Sequence, residues 1–207
     1  MPRGSSLYKG TERENLCYYT HMKYIPAHAQ KVFEGIRCTI YHWEQKMYDG
    51  STRTFEAVVR LPAATIIAIV DGKIALQRQT QPHRDEYFIC LPGGLADKPG
   101  EDIAETAKRE LEEETGLQSD DWELWQVSGV DGFIHWENHV FVARNCKPTG
   151  QIRLDGGEQI ENGSVTLDEF LSLIDHPEFR HKDLILDFQQ IRDDEDKREA
   201  FRLMLGI

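Results

Sequence analysis

The chain has 207 residues, a length that suits one ordinary domain with an extension. Its 36 acidic against 24 basic side chains leave a formal net charge of −12, which argues against a broad electrostatic grip on nucleic acid. No apolar run approaches the roughly 20 residues needed to span a bilayer, and the polar opening Met1–Gly10 lacks the character of a secretory signal.

Residues up to about Gln30 show no clear periodicity, and Met1 to Ser6 is set aside as an expression remnant. Arg37 to Met47 and Thr52 to Arg60 then predict a hairpin, because Asp49-Gly50 between them is a strong two-residue turn signal. Ala64 to Val70 is nearly continuously apolar and turns at Asp71-Gly72 into Ile74-Ala75-Leu76, as a central hairpin covered on both faces would. Glu86 to Leu91 is a further predicted strand, delivering the chain to Pro92-Gly93-Gly94. Cys17, Cys38, Cys90 and Cys146 have no metal-ligand spacing. Free thiols in a reducing cytoplasm are expected, with Cys38 and Cys90 as small buried hydrophobes.

The next stretch, Gly93 to Leu117, predicts a helix. Ile103, Ala107 and Leu111 recur every four residues as an apolar stripe. Glu101 or Asp102 supplies negative charge at the helix start, and Gly116 is the stop signal. The same register places Glu110, Glu113 and Glu114 on one face, while Glu105 and Arg109 are spaced to pair. Like charges three and four apart destabilise a helix by roughly 0.2–0.5 kcal/mol per pair. A hard divalent cation resolves that conflict, since such ions bridge carboxylates to substrate phosphates. The stretch therefore predicts a metal-phosphate site. Beyond it, Trp122 to Gly129, His139 to Ala143 and Gly163 to Val165 are predicted strands, with Trp122 and Trp125 as packing residues. Leu167 to Ile174 predicts a short helix, and Lys182 to Leu205 one or two more, with Leu184, Ile185, Phe188 and Ile191 on one face. Strands interspersed with a few helices point to an α+β, layered domain.

Glu101, seven residues, then Arg109-Glu110-Leu111-Glu112-Glu113-Glu114-Thr115-Gly116-Leu117 resembles the Nudix box. One departure is visible: six residues separate Gly94 from Glu101 where the family has five, and the surplus falls in the loop around Asp97-Lys98-Pro99-Gly100. The resemblance implies the α/β/α layered Nudix fold, a mixed sheet between helices, over 62–207, preceded by an extension, 1–61, that carries the hairpin. It implies a hydrolase that splits a nucleoside diphosphate linked to another group at its pyrophosphate. By the motif, Glu110 and Glu114 would hold Mg²⁺ (Mn²⁺ as the alternative), Glu113 would be a third ligand or orient them, and Gly93 would lend its carbonyl. Arg109 would brace the carboxylates, and Glu101 would sit at the helix start or serve a second metal.

Tyr48 to Arg60, Arg78-Gln79 and Leu91-Pro92-Gly93-Gly94 resemble the ADP-ribose and nucleoside-diphosphate-sugar pyrophosphatase branch. There the N-terminal hairpin helps form a homodimer. The general base in that branch comes from a loop after the box. Two acids qualify: Glu158, before a predicted strand and after the loop Asp155-Gly156-Gly157, and Glu137 in Gly132-Phe-Ile-His-Trp-Glu137. Arg78 and Arg84 are candidates for the substrate phosphates, because a guanidinium matches phosphate with a fork of donors. Phe133 is a candidate for stacking on a base, with Trp136 beside it, and both equally suit core packing. The implied partner is a small nucleotide, with no nucleic acid or membrane, in the cytoplasm. Two alternatives remain: a house-cleaning nucleoside triphosphate pyrophosphatase, and a non-catalytic nucleotide-binding module of the same fold.

Overall fold

A computed structural model describes residues 25–130, 132–154 and 156–207. Residues 1–6, Cys17 and Asp155 lie outside the described residues. The chain opens with β1 (Gln30–Glu34), a strand the sequence reading does not predict. β2 (Cys38–Lys46) and β3 (Thr52–Arg60) then form the expected hairpin around Asp49, whose carboxylate accepts from the Ser51 N–H and hydroxyl. β4 (Ala63–Val70) and β5 (Lys73–Thr80) form the second. β6 (Phe88–Cys90) is shorter than predicted, and β7 (Gly93–Leu95) follows at once. After α1 (Ile103–Thr115) come β8 (Leu117–Gln118), β9 (Asp121–Val130), β10 (Ile134–Arg144), β11 (Lys147–Pro148) and β12 (Gln159–Val165). Three helices end the chain: α2 (Leu167–Leu173), α3 (Ile185–Asp193) and α4 (Glu195–Leu205).

Among the described residues, one mixed sheet runs β1-β2-β3-β10-β4-β5-β12, with β9 on β10, β7 on β4 and β6 on β5. β10 runs parallel to both β3 and β4, so the N-terminal hairpin continues the main sheet. Alternation along β4 explains its unbroken apolar sequence. Ala64, Ile66 and Ala68 pack with Phe141 and Ala143 against Ala107 and Leu111 of α1. Ile67 and Ile69 face the other way, joining Val140, Val142, Phe170, Phe188, Ile191, Phe201 and Leu205 under α2, α3 and α4. A strand covered on both faces has no polar side to display. Trp125 packs on Phe188 and Phe201 and Trp122 on Phe141, the packing roles expected of them. Cys90 and Cys146 are buried free thiols, whereas Cys38 is only half-buried, because its strand lies near the edge of the sheet.

Candidate active site

α1 is held at both ends. Asp102 caps it, its carboxylate accepting from the Ala104 N–H at 2.8 Å, and Gly116 closes it in the left-handed conformation. The extra residue before Glu101 is absorbed in a turn, where the Glu101 N–H reaches the Lys98 carbonyl. The helix register is untouched. Glu105 pairs with Lys108 at 2.6 Å and not with Arg109, contrary to the spacing expectation, because Arg109 is drawn inward by stronger partners.

Those partners define the site. Arg109 meets Glu101 at 3.0 Å, Glu110 at 2.7 Å and Glu113 at 3.0 Å, with Asp97 at 3.6 Å. One largely buried guanidinium thus ties the helix start to two of the three predicted carboxylate ligands. The hydrogen bonds from Arg109 hold the Glu101 carboxyl below its ordinary range. Glu114 is turned the other way and only 4 % exposed. Its carboxylate accepts from the Gly93 N–H at 3.0 Å and from Gln77 Nε2 at 3.1 Å. Burial, with the charges of Glu110 and Glu158 adding to it, pushes the Glu114 carboxyl up to about 8. Burial likewise pushes Glu110 up to about 6, against the pull of Arg109.

Gly93 and Gly94 are required where they stand. A Cβ on Gly93, at φ +153°, would lie 2.1 Å from the Ala64 carbonyl oxygen. A Cβ on Gly94 would lie 2.4 Å from the carboxyl carbon of Glu110. β7 therefore lies flush against the acidic face of α1.

Buried carboxylates that repel each other and face a glycine loop fit a hard divalent cation, which takes oxygen ligands. Among the described residues, however, no three acidic, histidine or cysteine side chains converge as a ready cage. The physical reason is Arg109, which holds Glu110 and Glu113 while Glu114 is held by Gly93 and Gln77.

The other predicted residues divide. Glu158 stands just before β12, half-buried, and its charge reaches both Glu110 and Glu114. Glu137 lies on β10 with its carboxylate 3.1 Å from His139 Nε2. Arg84 rests over the Phe88 ring near the site, 5.5 Å from its centroid. Arg78 points to the opposite face of β5, paired with Glu161 at 3.3 Å and stacked over Tyr87. Phe133 is 55 % exposed at the turn after β9, while Trp136 is half-buried under Arg60.

Four residues to which the sequence reading gave no individual role complete the surroundings. Gln77 and Gln79 are buried on β5 on the face that also carries Ala75, and polar residues in a buried strand were the available signal. Asn162 Nδ2 donates to the Glu114 carbonyl at 2.8 Å. His181 Nε2 accepts from the Leu91 N–H at 2.9 Å, bracing the turn into Pro92-Gly93. Burial pushes that imidazole down to about 4, so it stays a neutral acceptor. A lone histidine far along the chain carried no signal.

Residues 59–188 match the NUDIX domain. The chain is 30% identical over 154 residues to an ADP-ribose pyrophosphatase of Bacillus subtilis, covering 72% of this chain and 82% of that one. It is 32% identical over 149 residues to a methanol dehydrogenase activator of Bacillus methanolicus, covering 70% and 80% respectively. Among solved structures, an ADP compounds hydrolase superposes with a TM-score of 0.65 at 22% identity, over 81% of this chain and 91% of the other. That last likeness is one of fold.

Proposed function

This chain belongs to the Nudix family, and we propose that it hydrolyses ADP-ribose or a related nucleotide sugar to a nucleoside monophosphate and a sugar phosphate. It is a Nudix pyrophosphohydrolase with the family's α+β fold. The observation that carries the substrate reading is the pair of buried carboxyls, Glu110 and Glu114, set against Gly93-Gly94 within electrostatic reach of Glu158, joined to a relative that is itself an ADP-ribose pyrophosphatase.

The family's enzymes use a divalent metal, and Mg²⁺ is the ion proposed here, with Mn²⁺ as a substitute. Glu110 and Glu114 would hold it, with Glu113 and the Gly93 carbonyl as further oxygen donors. Bound there, the cation would neutralise charge on the pyrophosphate oxygens. Arg109 keeps the carboxylates in register. Glu158 takes the proton as a water oxygen attacks phosphorus and the bridging P–O bond breaks. The departing phosphate leaves as an anion, so no acid is needed on that side.

Exposed Phe33 on β1, Ile36 in the turn after it and Phe55 on β3 support a homodimer, and light scattering on the purified protein tests it. The free thiols Cys38, Cys90 and Cys146 suit a cytoplasmic setting. No helix among the described residues is long and apolar enough to cross a membrane.

Product analysis with Mg²⁺ and a panel of ADP-ribose, nucleotide sugars, dinucleotides and nucleoside triphosphates tests the activity. AMP plus ribose 5-phosphate from ADP-ribose is the expected result. Pyrophosphate released from a triphosphate would replace the reading with the house-cleaning one. Glu114→Gln should abolish most turnover and leave the fold intact. A full rate in that variant would overturn the metal assignment.

A further inference from the structure

Phe88 on β6 carries two guanidinium groups over its ring: Arg180 at 4.6 Å from the centroid and Arg84 at 5.5 Å. Neither has a carboxylate within ion-pair distance among the described residues. Other arginines of this acidic chain do find acids, as Arg78, Arg144, Arg192 and Arg198 show. Two like charges at one ring repel, and the attraction of each to the ring offsets that only in part. An anion between them would complete the arrangement.

The place of the pair is defined by backbone. The Arg180 N–H donates to the Ile89 carbonyl at 2.9 Å, and the Ile89 N–H donates to the Glu178 carbonyl at 2.9 Å. Phe179, between those residues, is fully buried, so Arg180 is fastened to β6. Phe88 and Cys90 project to the same side of β6, about 7 Å apart along the strand. Cys90 packs against Gln77 and Gln79, and Gln77 holds Glu114. The pair therefore lies at the rim of the carboxylate site, on its own side of the sheet. Burial lowers the Arg180 guanidinium from its ordinary value, and Arg84 and Arg37 add to the shift. Arg37 comes from the turn between β1 and β2, so three distant segments bring positive charge to this rim.

We propose that Arg180, paired with Arg84 across the Phe88 ring, is an anion subsite that takes a phosphate of the nucleoside diphosphate beside Glu110 and Glu114. The proposal rests on the pyrophosphohydrolase reading above for its substrate. It moves the second phosphate-binding role from Arg78, which Glu161 already neutralises, to a residue about a hundred positions along the chain. A guanidinium fork matches phosphate oxygens better than an ammonium does.

The test is ADP-ribose hydrolysis with Mg²⁺ by wild type, Arg180→Ala, Arg180→Lys, Arg84→Ala and Arg198→Ala. Arg180→Ala should raise KM at least tenfold, the lysine variant should fall between, and Arg198→Ala, an equal charge loss on α4, should stay within twofold. KM within twofold for Arg180→Ala overturns the proposal. Should Arg180→Ala lose its fold, Arg84→Ala decides, because it leaves the β6 backbone contacts in place, and an unchanged KM there overturns the pairing. If wild type fails to cleave ADP-ribose, the activity reading falls by itself. The subsite is then judged by calorimetric titration of wild type and Arg180→Ala with inorganic pyrophosphate in EDTA. Binding weakened at least fivefold by the substitution supports it. Equal binding, or none to wild type, overturns it.

Discussion

At the residue scale, Gly93 and Gly94 are neighbours with different duties. Alanine at 93 meets the backbone oxygen of Ala64, which cannot move without disturbing β4, and its φ is unfavourable for an L side chain. Gly93→Ala should lower the unfolding temperature in a thermal melt. Alanine at 94 meets only the carboxyl end of Glu110, which can swing aside at little cost to the fold. Gly94→Ala should keep its unfolding temperature but need at least tenfold more Mg²⁺ for half-maximal rate, read from a metal titration. Glu158 has a different signature. Glu158→Gln should lower kcat by about 10²–10⁴ with little change in KM, the pattern of a group acting in the transition state. An unaltered kcat would transfer the base to Glu137 or to no side chain.

At the scale of the element, α1 is both a core helix and the scaffold of the site. Leu111 is fully buried against the sheet in the cluster with Ala64, Ile66 and Phe141, one position from Glu110. Leu111→Ala should cost about 2–5 kcal/mol of stability in chemical denaturation, from lost burial plus the cavity left behind. The helix was legible because its signals are local: a four-residue apolar spacing, an Asp cap, a terminal glycine. Its three-glutamate face was legible for the same reason. The pairing of Arg109 with Glu101 was not, because Glu101 precedes the cap, and the turn at Asp97 to Gly100 decides where it points. Strand β1 was missed because all five of its residues are exposed, so it carries no burial pattern.

At the scale of the molecule, the site lowers the stability of the metal-free fold at neutral and higher pH. Glu110 and Glu114 titrate at about 6 and about 8, above the ordinary glutamate value of 4.5. Folded protein therefore keeps protons that the unfolded chain has released. The stability these protons confer is complete below about 4.5 and is lost as pH rises through about 6 and then about 8. A cation that binds only the ionised pair reverses the loss and releases protons as it binds. Thermal melts with and without Mg²⁺ should show a stabilisation by metal that grows from pH about 6 to pH about 8. The growth should vanish in Glu114→Gln.

By itself the sequence determined the family, the glutamate-bearing helix and the central hairpin. Each of these is a pattern within a short stretch, where helix or strand periodicity dictates which side chains share a face. Only the tertiary structure decided that Gln77 holds Glu114 from 37 residues away and that His181 braces Leu91 across 90. It also brought Arg180 to the ring of Phe88. Such contacts are set by how strands pair in the sheet and where the C-terminal segment docks on β6, and no spacing along the chain encodes that geometry.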